Sequence, residues 1–134
     1  MDTTTRFGAP PSADDIAELA EAAFGAIPAE LREAVRGAAI LVEDNPDDET
    51  LASLGLEHPW ELTGLYRGTP LTERSVLDVP TGPDTILLYR EPILVEWVET
   101  GVDLFRLVRN VLIHEVAHHF GYSEEGIERL ERED

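Results

Sequence analysis

The chain has 134 residues, which is enough for one compact domain and too few for two. Hydrophobic residues make up 43% of it, so an ordinary core is expected rather than a disordered chain. A formal net charge of -18, from 28 acidic and 10 basic residues, disfavours nucleic acid and anionic membranes as partners and favours basic or neutral ones. The absence of cysteine excludes disulfides and restricts any zinc site to His and carboxylate ligands.

The N-terminal segment and the hydropathy of the chain indicate where it resides. Residues 1–12 are polar and end in two prolines, which predicts a flexible N-terminal tail followed by a single domain over 13–134. No run reaches the roughly 18 apolar residues that a membrane span needs, and the N-terminus has no apolar stretch typical of a signal. We therefore expect a cytoplasmic protein that does not contact the membrane.

Apolar periodicity, caps and helix-ending glycines predict the secondary structure. The short apolar run at 38–44 is typical of a buried strand, and glycines at 64 and 68 favour an edge position for the strand that contains them. In chain order the predicted elements are helices at about 13–26 and 28–35, strand 38–44, helix 48–54, strand 60–68, a loop to 84, strand 85–90, and helices at 91–100, 102–120 and 124–132. Helices, a few strands and then helices indicate the α+β class.

The segment "HEVAHHFGYSEE", residues 114–125, has the HExxH spacing of a zinc-peptidase helix. With His114 at zero on a helical wheel, His118 lies at about 40° and Glu115 at about 100°, so two imidazoles can bind one ion with a carboxylate beside it. The helix is apolar almost all round, which predicts that it is central and buried. Buried polar groups need a partner, and a metal ion supplies one. A surface pair of histidines is the alternative interpretation. His119 points away from the metal face and at most borders the cleft.

Several segments together resemble the short bacterial zincin-like metallopeptidase family. They are the HExxH segment, "ILVEDNP" at 40–46, "LTGLYRGTPLTERS" at 62–75 and "PDTILLYREPI" at 83–93, in the order found in that family. The resemblance covers about 14–130. It implies a minimal zincin-like fold, in which a small twisted mixed sheet of about three strands packs on a buried active-site helix with flanking helices. It also implies zinc held by His114 and His118, with Glu115 as general base.

The family's third zinc ligand is an Asp three residues after the glycine, and Glu124 occupies that position here. Gly121 permits the chain reversal that brings Glu124 or Glu125 back toward the metal. Glu125 is therefore the alternative ligand. Both acids also suit the first turn of a helix capped by Ser123, where the helix dipole stabilises them without any metal.

Two imidazoles and one carboxylate leave a fourth zinc position for water, as in catalytic zinc sites. The chemistry expected is peptide-bond hydrolysis, with an extended peptide or protein substrate of basic or neutral character paired with an edge strand at 62–67. His119 and Tyr122 are candidate oxyanion or substrate contacts. A catalytically silent zincin that binds zinc and a peptide is the alternative, and an acidic interaction module without metal is a third class.

Overall fold

The computed structural model describes residues 9–35, 37–68 and 84–132. Within these ranges the helices are α1 (Ala13–Phe24), α2 (Ala29–Ala34), α3 (Asp48–Leu54), α4 (Arg90–Thr100), α5 (Leu104–His119) and α6 (Glu124–Arg132). The strands are β1 (Ala39–Glu43), β2 (Gly64–Arg67) and β3 (Thr85–Tyr89), and a short 3-10 helix spans Pro59–Glu61. This is the predicted α+β fold with a small three-stranded sheet. No described helix is long and apolar enough to cross a membrane.

The sheet is mixed, and its strand order in the described residues is β1-β3-β2. β1 pairs with β3 in parallel, with Ala39 opposite Thr85, and β2 pairs with β3 antiparallel, with Gly64 opposite Leu88. The central strand β3 is the most apolar of the three and is buried over Ile86–Tyr89, as expected of a strand covered on both faces. β2 therefore forms one edge of the sheet in the described residues, as its glycines predicted.

Helix α5 is the central element of the fold. It packs against α1, α2, α4, α6, β2 and β3. Val108, Leu112, Ile113 and Val116 have no exposed surface, and full burial of each such side chain contributes about 1.5–3 kcal/mol. The burial predicted from the apolar character of this helix is confirmed on most of its circumference.

Arg109 is a buried cation on α5 that forms hydrogen bonds at the ends of two other helices. Its Nε donates to the carbonyl of Ala26, just beyond the end of α1, at 3.2 Å, and its Nη1 donates to the carbonyl of Glu131, in the last turn of α6, at 3.1 Å. The side chain is only 4% exposed. The carbonyls at helix C-termini lack intrahelical partners and carry partial negative charge. A buried guanidinium that donates to both carbonyls therefore supplies each with a charged hydrogen-bond partner.

The predicted strands at 38–44 and 60–68 differ from the structure. The first was expected to be buried, but β1 forms an edge of the described sheet and its residues are partly buried or exposed. The strand expected at 60–68 is limited to β2, because the carboxylate of Glu61 accepts from the backbone N–H groups of Glu57 and His58 and holds the preceding residues in a turn. The predicted loop up to 84 falls mainly on residues 69–83, which lie outside the described residues. Pro11 is buried and its carbonyl accepts from Arg90 Nε at 2.6 Å; the division into a tail over 1–12 and a domain over 13–134 stays a prediction.

Replacing Arg109 by Met should lower the free energy of unfolding by about 2–4 kcal/mol, because two helix-terminal carbonyls lose a charged donor inside the protein. Arg129 supplies the control, since it lies on the surface and pairs with the exposed Glu125 at 3.8 Å. Arg129→Met should cost less than about 1 kcal/mol. Urea unfolding of both variants measures the difference. Equal losses of unfolding free energy in the two variants would show that Arg109 does not stabilise the packing of these helices.

Candidate metal and catalytic site

The turn after α5 brings the following residues back along the helix that carries the histidines. Gly121 has a positive φ of 86°, a conformation that glycine adopts without the steric cost of a side chain. The N–H of Tyr122 donates to the carbonyl of Ala117 at 3.0 Å, and the N–H of Gly121 donates to that of His118 at 3.1 Å. These two bonds form a Schellman motif. α6 therefore begins beside the C-terminal end of α5 and packs against it.

His114 and His118 lie on the same face of α5, as the four-residue spacing predicts. Their ring centroids are 5.9 Å apart and the ring planes differ by 21°. The side chain of His114 is 40% exposed and His118 is exposed. Both imidazoles can therefore be reached from outside the core while their backbone is held in the most buried helix.

Glu115 is partly buried beside His114, next to the start of β2. Burial raises the pKa of its carboxyl to about 7, because a charged carboxylate is poorly solvated there. The approach of β2 is close. A Cβ atom at Gly64 would lie 2.8 Å from Val111 Cγ1 and 3.2 Å from Glu115 Cγ. A glycine at this position is therefore what allows β2 to pack against the helix at Glu115.

A cavity of about 450 Å³ lies alongside this part of α5. Its lining includes the helix face that carries Leu107, Val111, His114 and Glu115, and the segment just before β2. The remaining lining residues described are Glu61, Leu62, Thr63, Glu96, Thr100, Val102, Arg106, Asn110 and Glu131. Four glutamates and one arginine thus surround an apolar floor, and the cavity has an acidic character.

The glutamates of α6 are arranged along one helix face. Glu124, Glu128 and Glu131 follow a spacing of four and three residues, which places them on the same side. Glu131 Oε2 lies 3.9 Å from His114 Nδ1. Burial raises the pKa of the Glu131 carboxyl, and Glu128 and Glu124 are close enough to raise it further, against the opposing effect of His114. Glu125 lies elsewhere, with 86% of its side chain exposed and its carboxylate 3.8 Å from Arg129.

The two residues predicted as oxyanion or substrate contacts have other partners. The ring of His119 stacks on Tyr66 with a centroid distance of 3.9 Å and meets Phe120 edge-on. The hydroxyl of Tyr122 donates to Glu30 Oε2 at 2.9 Å. Neither side chain is among the described residues that line the cavity. A role for them in substrate contact stays a prediction.

The described side chains supply part of what a metal ion would need. The imidazoles of His114 and His118 share a helix face with ring centroids 5.9 Å apart, and histidine is a usual zinc ligand. In the part of the chain that the structure describes, however, no group of three or more His, Asp or Glu side chains is arranged to hold a metal ion. Glu124 is exposed at the start of α6. A carboxylate must therefore move toward the imidazole pair to complete a three-ligand site.

Sequence reasoning did not identify two residues at the site, Gly64 and Glu131. The sequence indicates Gly64 as a residue that weakens a strand, although a glycine inside a strand also marks the close approach of another element. Glu131 lies seven residues after Glu124. The signal that could have found it is the helical spacing that puts it on the same face as Glu124.

The chain is similar to known proteins in both sequence and structure. A family model described as zincin-like metallopeptidase matches residues 35–133. The chain belongs to this family, as its motifs predicted. A conserved hypothetical protein from Thermo thermophilus has a similar structure, with a TM-score of 0.50 and 24% sequence identity over 81% of this chain and 94% of that one. This likeness supports the fold alone. No curated protein matches the chain.

Gly64→Ala should lower the free energy of unfolding by about 1–3 kcal/mol, because the added methyl group overlaps Val111 and forces β2 away from the helix. The same change should displace the side chain of Glu115. Gly25→Ala is the matched control, since a Cβ there meets no atom closer than 3.4 Å and its φ is -68°. Thermal unfolding of both variants checks this, and a Gly64→Ala protein as stable as Gly25→Ala would contradict it.

Proposed function

We propose that this protein is a zinc-dependent peptidase in which His114, His118 and Glu124 hold the metal and Glu115 is the general base. One observation carries the proposal. In a member of the zincin-like metallopeptidase family, His114 and Glu115 of the HExxH motif line an open cavity, while His118 and Glu124 are not among the described residues that line it. Zinc, when bound at such a site, supplies Lewis acidity that makes a water acidic near neutral pH and polarises a carbonyl group.

Glu124 is the best supported third ligand. It is the first residue of α6 and follows the Gly121 turn directly, so its backbone lies beside the end of α5 that carries His118. It also lies close enough to Glu131, the neighbour of His114, to influence its pKa. The rival Glu125 is turned toward Arg129 and solvent. Extension of the flexible Glu124 side chain, with a small tilt of the turn at Gly121, would complete the three ligands.

Glu115 would hold and transfer the proton. Its carboxyl lies in the cavity wall next to His114, where a water between metal and substrate would be within reach. As general base it would accept the proton of the attacking water and then donate it to the nitrogen of the leaving amine. Val111 and Leu107 would form the apolar floor beneath the reacting groups.

The substrate best suited to this site is an extended peptide segment of neutral or basic character. β2 is an edge of the described sheet, and the residues just before it line the same cavity as Glu115. A peptide added to this edge would pair with backbone groups and pass across the cavity. The glutamates around the cavity and the charge of -18 favour cationic over acidic side chains.

One observation favours a second candidate function, a zincin-fold protein that binds a peptide without hydrolysing it. The described residues do not assemble three metal-binding side chains. A site that keeps only the two imidazoles would bind zinc weakly and would not hold it for catalysis. Cleavage of a broad peptide library with and without a chelator separates the two functions, because chelator-sensitive hydrolysis occurs only in the first.

Glu115→Gln should leave zinc binding unchanged and lower hydrolysis by about 10²–10⁴-fold, because the amide cannot accept the proton. Zinc content by mass spectrometry and the rate on a cleaved library peptide are the two measurements. Glu21→Gln, an exposed position on α1 with the same change in charge, should retain both properties. Loss of zinc from Glu115→Gln would show that Glu115 is a ligand instead of the base.

Glu124→Ala should weaken zinc binding by several kcal/mol, the effect of one lost ligand in a site worth about 10 kcal/mol or more. Glu124→Asp should bind zinc at least as well as the parent, since it keeps the carboxylate and matches the family's residue. Glu125→Ala is the control and should bind nearly normally. Calorimetric titration of zinc into the metal-free variants measures all three, and a large loss in Glu125→Ala with little change in Glu124→Ala would reverse the assignment.

A further inference from the structure

The carboxylate of Glu131 faces one particular nitrogen of His114. Its Oε2 lies 3.9 Å from Nδ1, and the Glu131 side chain is 26% exposed. A histidine that binds a metal through one ring nitrogen nearly always donates the N–H of the other nitrogen to a carboxylate, a carbonyl or a water, which fixes the tautomer and the ring orientation. With Nδ1 turned to Glu131, Nε2 is the nitrogen left for a metal.

The backbone of Glu131 is held in place by the same helix that carries His114. Its carbonyl accepts from Arg109 Nη1 at 3.1 Å and from Arg106 Nη2 at 3.3 Å. Both arginines precede His114 on α5, and Arg109 is buried. The position of Glu131 relative to His114 is thus set by two hydrogen bonds from one rigid element. This support makes the contact between Glu131 and His114 different from an exposed surface ion pair, whose two side chains are free to separate.

We infer that Glu131 is a positioning residue that accepts a hydrogen bond from His114 Nδ1–H and thereby presents Nε2 to the zinc ion. This inference rests on the zinc site proposed above and assigns to Glu131 no contact with metal or substrate. The distance of 3.9 Å is longer than a hydrogen bond. The carboxylate would have to rotate to reach bonding distance, and hydrogen bonds that are long in an unliganded site often tighten when the site is loaded.

Glu131→Met tests the inference, because Met has a similar length but is at most a weak hydrogen-bond acceptor, and the carbonyl that Arg106 and Arg109 contact remains. Glu128→Met is the matched control, since it removes the same charge from the same helix at an exposed position. Zinc affinity should fall about 10–100-fold in Glu131→Met and stay within about threefold of the parent in Glu128→Met. The zinc affinity of Glu131→Gln, which keeps a weaker acceptor, should lie between the affinities of the other two variants. Equal affinities of Glu131→Met and Glu128→Met would overturn the inference.

A second readout needs no zinc. Long-range ¹H–¹⁵N correlation spectra of the metal-free protein at pH 8 report which nitrogen of His114 carries the proton. The parent and Glu128→Met should show Nδ1–H, and Glu131→Met should shift toward Nε2–H. An Nε2–H tautomer in the parent, or no shift in Glu131→Met, would overturn the inference even if zinc binds.

The two readouts also separate failure of the inference from failure of the proposed function. A parent protein that binds no zinc contradicts the proposed function, while the tautomer of His114 still decides the role of Glu131. The visible spectrum of the Co²⁺-loaded protein distinguishes a positioning residue from a ligand, because its intensity depends on the number of ligands. An unchanged spectrum in Glu131→Met supports a positioning role, and a spectrum that shows a lost ligand would make Glu131 a metal ligand and overturn the inference.

Discussion

Burial of α5 on nearly every side is the constraint on which the rest of the structure depends. The helix supplies the contact surface for four other helices and for two strands, so its apolar side chains stabilise the fold as a whole. The same helix carries His114, Glu115 and His118, and burying such groups without partners is costly. The structure resolves this conflict by leaving one stripe of α5 open to a cavity, where polar groups can meet solvent, substrate or metal. The proposed site thus lies on the most buried helix of the described residues, and a well-packed element favours precise positioning of functional side chains.

The hairpin of α5 and α6 brings carboxylates toward the proposed site. The turn at Gly121 returns the chain along α5, so that α6 lies beside the helix that carries the histidines. Glu131 then lies near His114, while Ile127 and Leu130 of α6 are buried. Arg109 links this hairpin to α1. Stability and the arrangement of the site therefore depend on the same contacts.

Much of the fold could be predicted from the sequence because local signals agreed with the global structure. Gly101 and Gly121 ended helices, the run at 85–90 was recognisable as a strand, and HExxH placed three residues on one face of α5. The segment before β2 could not be predicted as a turn, because the Glu61 carboxylate that holds it acts through backbone bonds that leave no periodic pattern. The roles of Gly64 and Glu131 depend on how β2 and α6 pack against α5. This packing is a tertiary property that the sequence does not show. His119 stacks on Tyr66, and Tyr122 donates to Glu30. Both partners are also far away in the sequence.

X-ray absorption at the zinc edge tests the central claim most directly, because it reports both the presence of the metal and the atoms around it. For the protein reconstituted with zinc and freed of excess metal, the account predicts one zinc per chain, with two imidazole nitrogens and carboxylate oxygen among the ligands. Substitution of His118 by Ala should remove one imidazole from the spectrum. A parent protein that retains no zinc, or a zinc environment without imidazole, would contradict the account.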